Sequence, residues 1–574
     1  MTMRKSILVW VACFLFLTLL PPPAAVRAQE QPASTAPGQA EKQFQKIPVP
    51  GFPQGSFVPG QGKLQAPEGA ASVRFRLTGI RFEGATVFKK PQLEALSSKY
   101  LNREISLAEL YALANEVTAM YRNAGYVLSQ ALVPAQQIGS DRVATIRVVE
   151  GFISKVTVTG VDPVVKREIA GYVDKILASK PLTEAVLERY LLLVNDLTGI
   201  QARAVLSPSP TVQGAAELRV AAAQDKVSGY AGITNRGSKF QGPWQGTGQV
   251  EASDAFEGYG SLRLFGVTTG NDELEHVTLS RKQFIGYEGA MVSGTFSHTS
   301  TRPGGFLSPF DIKTQSDNFD LLGSYPFIRN RARNLTAHAQ LSIYGGSSER
   351  LDVAQGGSGA LATSETEDRI RSLRLGLSYD WVDRYRGVNL VTAELSRGLD
   401  ILGATASPSP ARSRPEGEGR YTKLTIYAAR LQEISGPWSV LGSVFGQHAD
   451  DPLLSPEECG VGGPNYVRGY DQSEIVGDSC LMGLLELRYT GQSTLPWLDS
   501  YVGYLFVDGG KVRRKAAAAG ESASDERKSL GGGVRFRIER RVSGYMELAV
   551  PLDQPVAATM SDSPRLFLAV TTEF

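Results

Sequence analysis

The chain has 574 residues, and its 60 Lys and Arg against 58 Asp and Glu leave a formal net charge of +2. That near-balance gives no electrostatic case for a nucleic-acid partner or a polybasic membrane patch. The length allows several domains. Its 60 glycines and the short alternating segments of its C-terminal half suit either a soluble all-β protein or an outer-membrane barrel.

At the N-terminus, Arg4 and Lys5 precede the apolar run SILVWVACFLFLTLL. PPPAAVRA then sets Val26 and Ala28 at the minus-three and minus-one positions of a cleavage site. A run of about 15 residues is short for a spanning helix and typical of a secretory signal peptide, with a membrane anchor as the alternative. Cleavage of residues 1–28 is expected to remove Cys13 and leave Cys459 and Cys480 in an oxidising compartment. Residues 29–71 are rich in Gln, Pro, Gly and Ala and read as a linker or plug-like tail without its own core. Within it, ASTAPGQAEKQFQK offers a weak signal for a short plug helix.

An α+β unit is expected over 72–151. Val73, Phe75 and Leu77 alternate with polar residues as a strand, and Leu110, Leu113, Val117, Met120 and Tyr121 recur at helical spacing. SQALVPAQQ and RVATIRVVEG close the unit as strands, and the order then repeats over 152–226. A strand on Val156 and Val158 leads into helices on PVVKREIAGYVDKIL and TEAVLERYLLLVNDL, then strands on ARAVLSPSP and AELRVAAA. Two successive β-α-α-β-β units constitute an internal repeat; a single α+β domain is the alternative.

From 227 to 574 the helical period disappears. About sixteen alternating segments of about ten residues follow, separated by turn residues, which leaves about 22 residues per strand and connection. An antiparallel sixteen-stranded barrel would satisfy every main-chain group in lipid and leave both ends of the sheet on the periplasmic side. In the last segment Leu566, Leu568, Val570, Thr572 and Phe574 share one face, expected toward lipid. Phe567, Ala569, Thr571 and Glu573 share the other. An edge strand of a soluble sandwich is the alternative reading.

Enzyme constellations are absent or weak. His276, His298, His338 and His448 are scattered over different strands, Cys459 and Cys480 have no nearby His, and no metal or cofactor pattern emerges. The informative stretch is the loop at 450–478, too long for a hairpin connection, with Arg468 in its polar centre. In SYVGYLFVDGG, Val502, Tyr504, Phe506 and Asp508 share a face; if the opposite face meets lipid, Asp508 points into the lumen. Glu486 and Arg488 belong to the lumen by the same parity. Arg468 at the tip of an inward-folded loop can meet Asp508; a solvated extracellular turn is the other reading. Cys459 and Cys480 bracket the loop and are expected to form a disulfide, for which the sequence cannot supply the Cα separation.

The motifs in this half resemble those of the two-partner secretion transporters (TpsB type, the ShlB/FhaC/HecB kind) of the Omp85 superfamily. Val467, Arg468, Gly469 and Tyr470 match the signature of the long loop between strands eleven and twelve. Phe506, Asp508 and Gly510 match the F-x-D-x-G motif of strand thirteen. VVEG at 148–151 and YPFIRNRARNL at 325–335 are also similar to family segments. The resemblance covers about 72–574 and implies two periplasmic POTRA units, POTRA 1 at 72–151 and POTRA 2 at 152–226, before an outer-membrane barrel. It implies an Arg468–Asp508 pair locking the loop in the lumen, and Phe574 as a C-terminal signal to the barrel assembly machinery. It further implies ATP-free export of a TpsA-like exoprotein of the hemolysin or adhesin type, captured by the POTRA units. The cysteine pair is not part of the family motif. An Omp85-type insertase is the alternative function. It usually carries more periplasmic units and a seam that opens; a passive porin would lack them, and a barrel enzyme would need a cross-strand catalytic set.

Overall fold

The computed structural model describes residues 32–574 except 46, 52–63, 254–258, 353–361, 407–408, 410 and 518–520. The expected leader, with Cys13, lies outside the described residues.

The first α+β unit contains β1 (Arg74–Arg76), β2 (Gly79–Glu83), α1 (Lys90–Ser97), β3 (Glu104–Ser106), α2 (Leu107–Asn123), β4 (Gln130–Leu132) and β5 (Val143–Val149). Its sheet has the order β2-β5-β4, with β2 parallel and β4 antiparallel to β5. The alternation at Val73, Phe75 and Leu77 therefore does not supply the main-sheet strand. It yields only β1, which pairs with β3, and Val73 is 51% exposed. Ile80 and Phe82 carry the alternation onward and pack on the core, so the strand that joins the sheet begins six residues later, at Gly79. A capping box starts α2. Ser106 Oγ accepts from the Glu109 amide at 3.2 Å, and Glu109 returns a carboxylate oxygen to the Ser106 amide at 2.7 Å. Leu110, Leu113, Val117 and Tyr121 then form its buried face.

The second unit repeats this topology with β6 (Phe152–Thr159), α3 (Pro163–Ala178), α4 (Glu184–Asp196), β7 (Ile200–Pro208) and β8 (Ala215–Gln224). Its order is β6-β8-β7, with β6 parallel and β7 antiparallel to β8. Asp162 caps α3 by accepting from the Val164 and Val165 amides at 3.1 and 3.0 Å, ahead of Pro163 at the first helical position. Ile169, Tyr172, Ile176, Leu187 and Leu218 fill the core.

Main-chain bonds join the units: Leu182 donates to Gly151 at 2.9 Å and Glu184 to Gly125 at 2.8 Å. A polar joint holds the second unit to the barrel. Arg329 forks onto Asp196 at 2.7 and 2.6 Å, and Glu288 accepts from Lys175 at 2.9 Å and Tyr190 at 2.8 Å. The segment YPFIRNRARNL thus shares the barrel side of this joint with Glu288, and its Pro326 also accepts from Arg189 at 3.2 Å.

Sixteen antiparallel strands, from Val227–Thr234 to Arg565–Glu573, close into a barrel. The alternation of the sequence becomes a two-sided wall. On the thirteenth strand (Leu498–Arg513), Leu505 is 65% exposed on the outer face while Tyr504, Phe506 and Asp508 are buried inside. On the sixteenth, Leu566 and Val570 face out and Phe567 is buried within. Phe574 exchanges two main-chain bonds with Gly229, both 3.0 Å, and its ring is exposed.

Glu150 of VVEG ties the first unit together. It accepts from the Thr86 and Val87 amides at 2.6 and 2.9 Å and from the Tyr121 hydroxyl at 2.7 Å. Partial burial pushes its carboxyl up, but these hydrogen bonds outweigh it and the net shift is downward. A lowered folded value gives stability that is fully present above the usual glutamate value of about 4.5 and is lost as pH falls through the folded value. Glu150→Ala is expected to cost on the order of 1–2 kcal/mol at neutral pH. Chemical denaturation of a fragment spanning about 72–226 should show this loss, and the gap between variant and wild type should narrow in acid.

Candidate functional site

The eleventh strand (Trp438–Ala449) and the twelfth (Ser479–Gln492) pair directly, so the chain between them must leave the wall and return. It folds into the lumen. A short hairpin, Cys459–Val461 against Ile475–Gly477, forms its stem. Cys459 and Cys480 are joined by a disulfide, with Cα atoms 6.1 Å apart.

The tip carries Val467, Arg468, Gly469 and Tyr470, all buried against the wall. Val467 has φ 57°, a left-handed conformation uncommon for a β-branched residue and sustained only where packing over-determines it. The reversal it makes is closed by Tyr470 donating its amide to the Val467 carbonyl at 3.0 Å. A Cβ on Gly469 would lie 2.9 Å from Ser529 Cβ and from the Pro551 amide nitrogen, and one on Gly510 would lie 2.6 Å from Val461. These two glycines let the loop lie flush on the wall. Tyr470 accepts from the Gln554 amide at 3.2 Å and donates to the Gln554 carbonyl at 2.9 Å, anchoring the tip beneath the last extracellular loop.

Arg468 does not meet Asp508 as a simple pair. Its Nη1 lies 2.8 Å from Glu486 and 3.1 Å from Glu547, and its Nε lies 3.3 Å from Asp508. Asp508 also accepts the Arg468 main-chain amide at 3.2 Å and a hydroxyl bond from Ser529. A planar guanidinium with five donors can serve several carboxylates at once, which a lone partner would leave unused. Its plane stacks on Phe506, 3.6 Å from the ring centre. Arg488 and Arg535 return positive charge to Glu486, at 2.7 and 2.8 Å, and Arg236 pairs with Glu547. With Arg468 only 3% exposed, the lumen at this level is filled. The geometry therefore gathers Arg468, Asp508, Glu486, Arg488, Phe506 and the loop cysteines in one region. Phe574 stands apart at the end of the sheet.

Sequence reasoning missed Glu547, Arg535, Ser529, Tyr504 and Arg236 as members of this cluster. Glu547 had a usable signal, since it shares the lumen-facing parity of its strand with Ala549. Arg236 had none, because it lies in an irregular stretch just past the first strand.

Residues 32–51 also occupy the lumen, apart from residue 46, which is undescribed. Their described helical content is two short 3-10 turns, Ala33–Thr35 and Ala40–Phe44, in place of a regular plug helix; Pro37 and Gly38 separate them. The segment is held by polar contacts. Gln39 donates to Ser455 O at 2.5 Å and accepts from Ser473 Oγ at 3.0 Å, and Gln241 donates to Ser34 O at 2.7 Å. Phe44 stacks on His276 at 4.7 Å, and Tyr427 donates to Pro48 O at 2.8 Å on the far wall. The chain re-emerges at Leu64, whose amide and carbonyl bond Asn115 of α2 at 3.0 Å each. His298 and His338 pair with Asp317 and Glu394. Among the described residues no group of His, Cys, Asp and Glu could hold a metal ion.

Comparison with known proteins is decided by one match: the family model "Haemolysin secretion/activation protein ShlB/FhaC/HecB" fits residues 217–537, more than half of the chain. The chain belongs to this family. Residues 75–151 also match the ShlB-type POTRA domain. Among curated relatives, the heme/hemopexin transporter protein HuxB of Haemophilus influenzae (strain 86-028NP) is 21% identical over 476 residues, covering 81% of each chain. The outer membrane transporter CdiB of Dickeya dadantii is 22% identical over 504 residues, covering 86% of each. The fold matches the solved CdiB from Escherichia coli with a TM-score of 0.71 at 20% identity, covering 89% of this chain and 92% of that one. CdiB from Acinetobacter baumannii gives 0.61 at 13% identity, covering 91% and 95%. This member of the ShlB/FhaC/HecB family is thus a TpsB-type outer-membrane transporter for a secreted partner protein, with its N-terminal POTRA region in the periplasm.

Two outcomes are expected here. Arg468→Ala leaves three buried carboxylates without their shared cation, a loss on the order of 3–5 kcal/mol in seating the loop. The variant should still migrate as a heat-modifiable barrel while export of the partner falls sharply; Arg468→Lys should not restore it, because an ammonium cannot serve the same fork. Cys459 and Cys480 should resist alkylation in the denatured, non-reduced protein and react after reduction, as read by mass spectrometry.

Proposed function

We propose that the chain captures one unfolded exoprotein in the periplasm and passes it along the barrel axis to the cell surface without a nucleotide. One observation carries this reading: an open strand edge leads to the barrel mouth. β7 is the outer strand of its sheet. Asn195 already occupies the edge groups of Ala202, accepting from its amide at 2.8 Å and donating to its carbonyl at 3.2 Å. By antiparallel alternation, Ala204 and Leu206 then present the next outward main-chain groups. An extended client segment added there would gain main-chain hydrogen bonds with little demand on its sequence.

The same strand begins at the wall of a cavity of about 590 Å³ between the second POTRA unit and the barrel. Ile200 and Gln201 line it on one side, and Glu251, Arg263 and Lys282 of the barrel wall on the other. Charges of both signs suit an unfolded polypeptide more than a ligand of one charge. Beyond this cavity the lumen is blocked by residues 32–51 and the Arg468 loop. Export on this reading requires the N-terminal segment to withdraw, since it is held by hydrogen bonds and one aromatic stack, whereas the loop is held by buried ion pairs and a disulfide.

The outward apolar faces of the strands meet outer-membrane lipid. Phe574, exposed at the end of the last strand, is read as the group offered to the barrel assembly machinery. Client folding outside the cell is the proposed driving force. No cofactor, metal, nucleic acid or catalytic step enters the mechanism.

Comparing the secreted proteins of a deletion strain and its parent should reveal one missing large exoprotein; an unchanged secretome would overturn the reading. A fragment of about 72–226 should bind the N-terminal domain of that protein, and replacing Ala204 by Pro, which removes an edge amide, should weaken binding in calorimetry. Deleting residues 32–50 should raise single-channel conductance in planar bilayers.

A further inference from the structure

The barrel closes where its sixteenth strand meets its first, and main-chain pairing there runs from the bonds between Phe574 and Gly229 through Glu573↔Tyr230 to Ala569↔Thr234. The fifteenth strand, by contrast, follows the sixteenth from Thr572 up to Arg565. Beyond Thr234, Asn235 continues the seam with one main-chain bond and its side chain. The Asn235 amide donates to Leu568 O at 3.1 Å, its Oδ1 accepts from the Leu568 amide at 2.7 Å, and its Nδ2 donates to Leu566 O at 2.9 Å. One residue thus extends the seam past the last paired residues.

The next residue turns inward. Arg236 pairs with Glu547 on the fifteenth strand, donates to the Arg468 carbonyl at 2.9 Å, and lies 3.7 Å from the centre of the Phe567 ring. From the other side of the seam, Arg565 holds Asp471 at 2.5 Å and the Gly469 carbonyl at 3.2 Å, with its guanidinium 4.9 Å from the same ring. The loop tip at 468–471 is therefore gripped by one arginine from each side of the seam, with Phe567 in contact with both.

We infer that Asn235 and Arg236 form a latch that keeps the seam shut, and that the latch engages fully only while the Arg468 loop is seated. Withdrawal of the tip would take away the carbonyl Arg236 donates to and the guanidinium that shares Glu547. Arg236 would then lose the geometry that stacks it on Phe567, because a planar fork depends on acceptors fixed in its own plane. The loop would thereby do two things at once: fill the lumen and hold the side wall closed. With the loop seated, a client is confined to the barrel axis and does not reach lipid sideways. The inference holds whichever exoprotein is carried.

The test uses the full chain in lipid nanodiscs, with nitroxide labels at Ile233→Cys and Val570→Cys, which face lipid opposite each other across the seam. A shut seam gives strong dipolar broadening in continuous-wave spectra. Arg236→Ala should lose most of that broadening, and Arg535→Ala, which removes a cation of the same cluster touching neither seam strand, should keep it. Should Arg236→Ala fail to insert as a heat-modifiable barrel, Asn235→Ala carries the test, since it removes two hydrogen bonds and no charge. Full retention in every latch variant that inserts overturns the latch, as does equal loss in Arg535→Ala. The readout needs no client, so it stands or falls separately from the export reading.

Discussion

A guanidinium enclosed by three carboxylates, away from water, is the constraint on which the rest of this barrel depends. Arg468 reaches Glu486, Asp508 and Glu547 together, and those carboxylates stand on the twelfth, thirteenth and fifteenth strands. Taking such charges out of water costs several kcal/mol each, and their attraction offsets that only in one geometry. The cluster is therefore poor as a source of stability and good as a device for position. A loop held this way can rest in one place on the wall, because any slip leaves a buried charge unmet. The aromatic shelf of Tyr504 and Phe506 and the close approach allowed by Gly469 and Gly510 make that one place reachable.

Much of this arrangement was legible from parity. A strand with an exposed apolar face must put its other face inside, so placing Leu505 and Val507 toward lipid sent Asp508 inward, and the same rule covered Glu486 and Arg488. Parity says which side a residue is on but not which neighbours share its height, and height is set by strand stagger. The sequence reading thus reached one carboxylate for Arg468 where the fold supplies three. Turns defeat parity altogether. The same holds for irregular chain: Arg236 lies just past a strand end, and its contacts come from strands far away in the chain.

The N-terminal segment shows a different limit. Residues 32–51 have almost no apolar period, so propensity gives there only the weak signal for a short helix, and the described residues form two short 3-10 turns instead. What holds them is a set of hydrogen bonds to Gln241, Ser455, Ser473 and Tyr427, whose partners exist only once the barrel has closed. The opening strand of the first POTRA unit failed for a related reason. Two adjacent stretches both alternate, and only pairing with β5 selects the second of them.

The anchorage of Leu64 on Asn115 turns the lumen segment into a tethered one. Twelve residues, 52–63, separate it from Gly51, a reach of at most about 40 Å. A segment expelled during transport would stay close to the barrel mouth, at an effective concentration on the order of millimolar. Resealing is then a first-order event, independent of how many copies the membrane holds. On the proposed export route, the time for which the outer membrane stands open after each client would be set within a single chain, by linker length and by the strength of the few contacts to be remade.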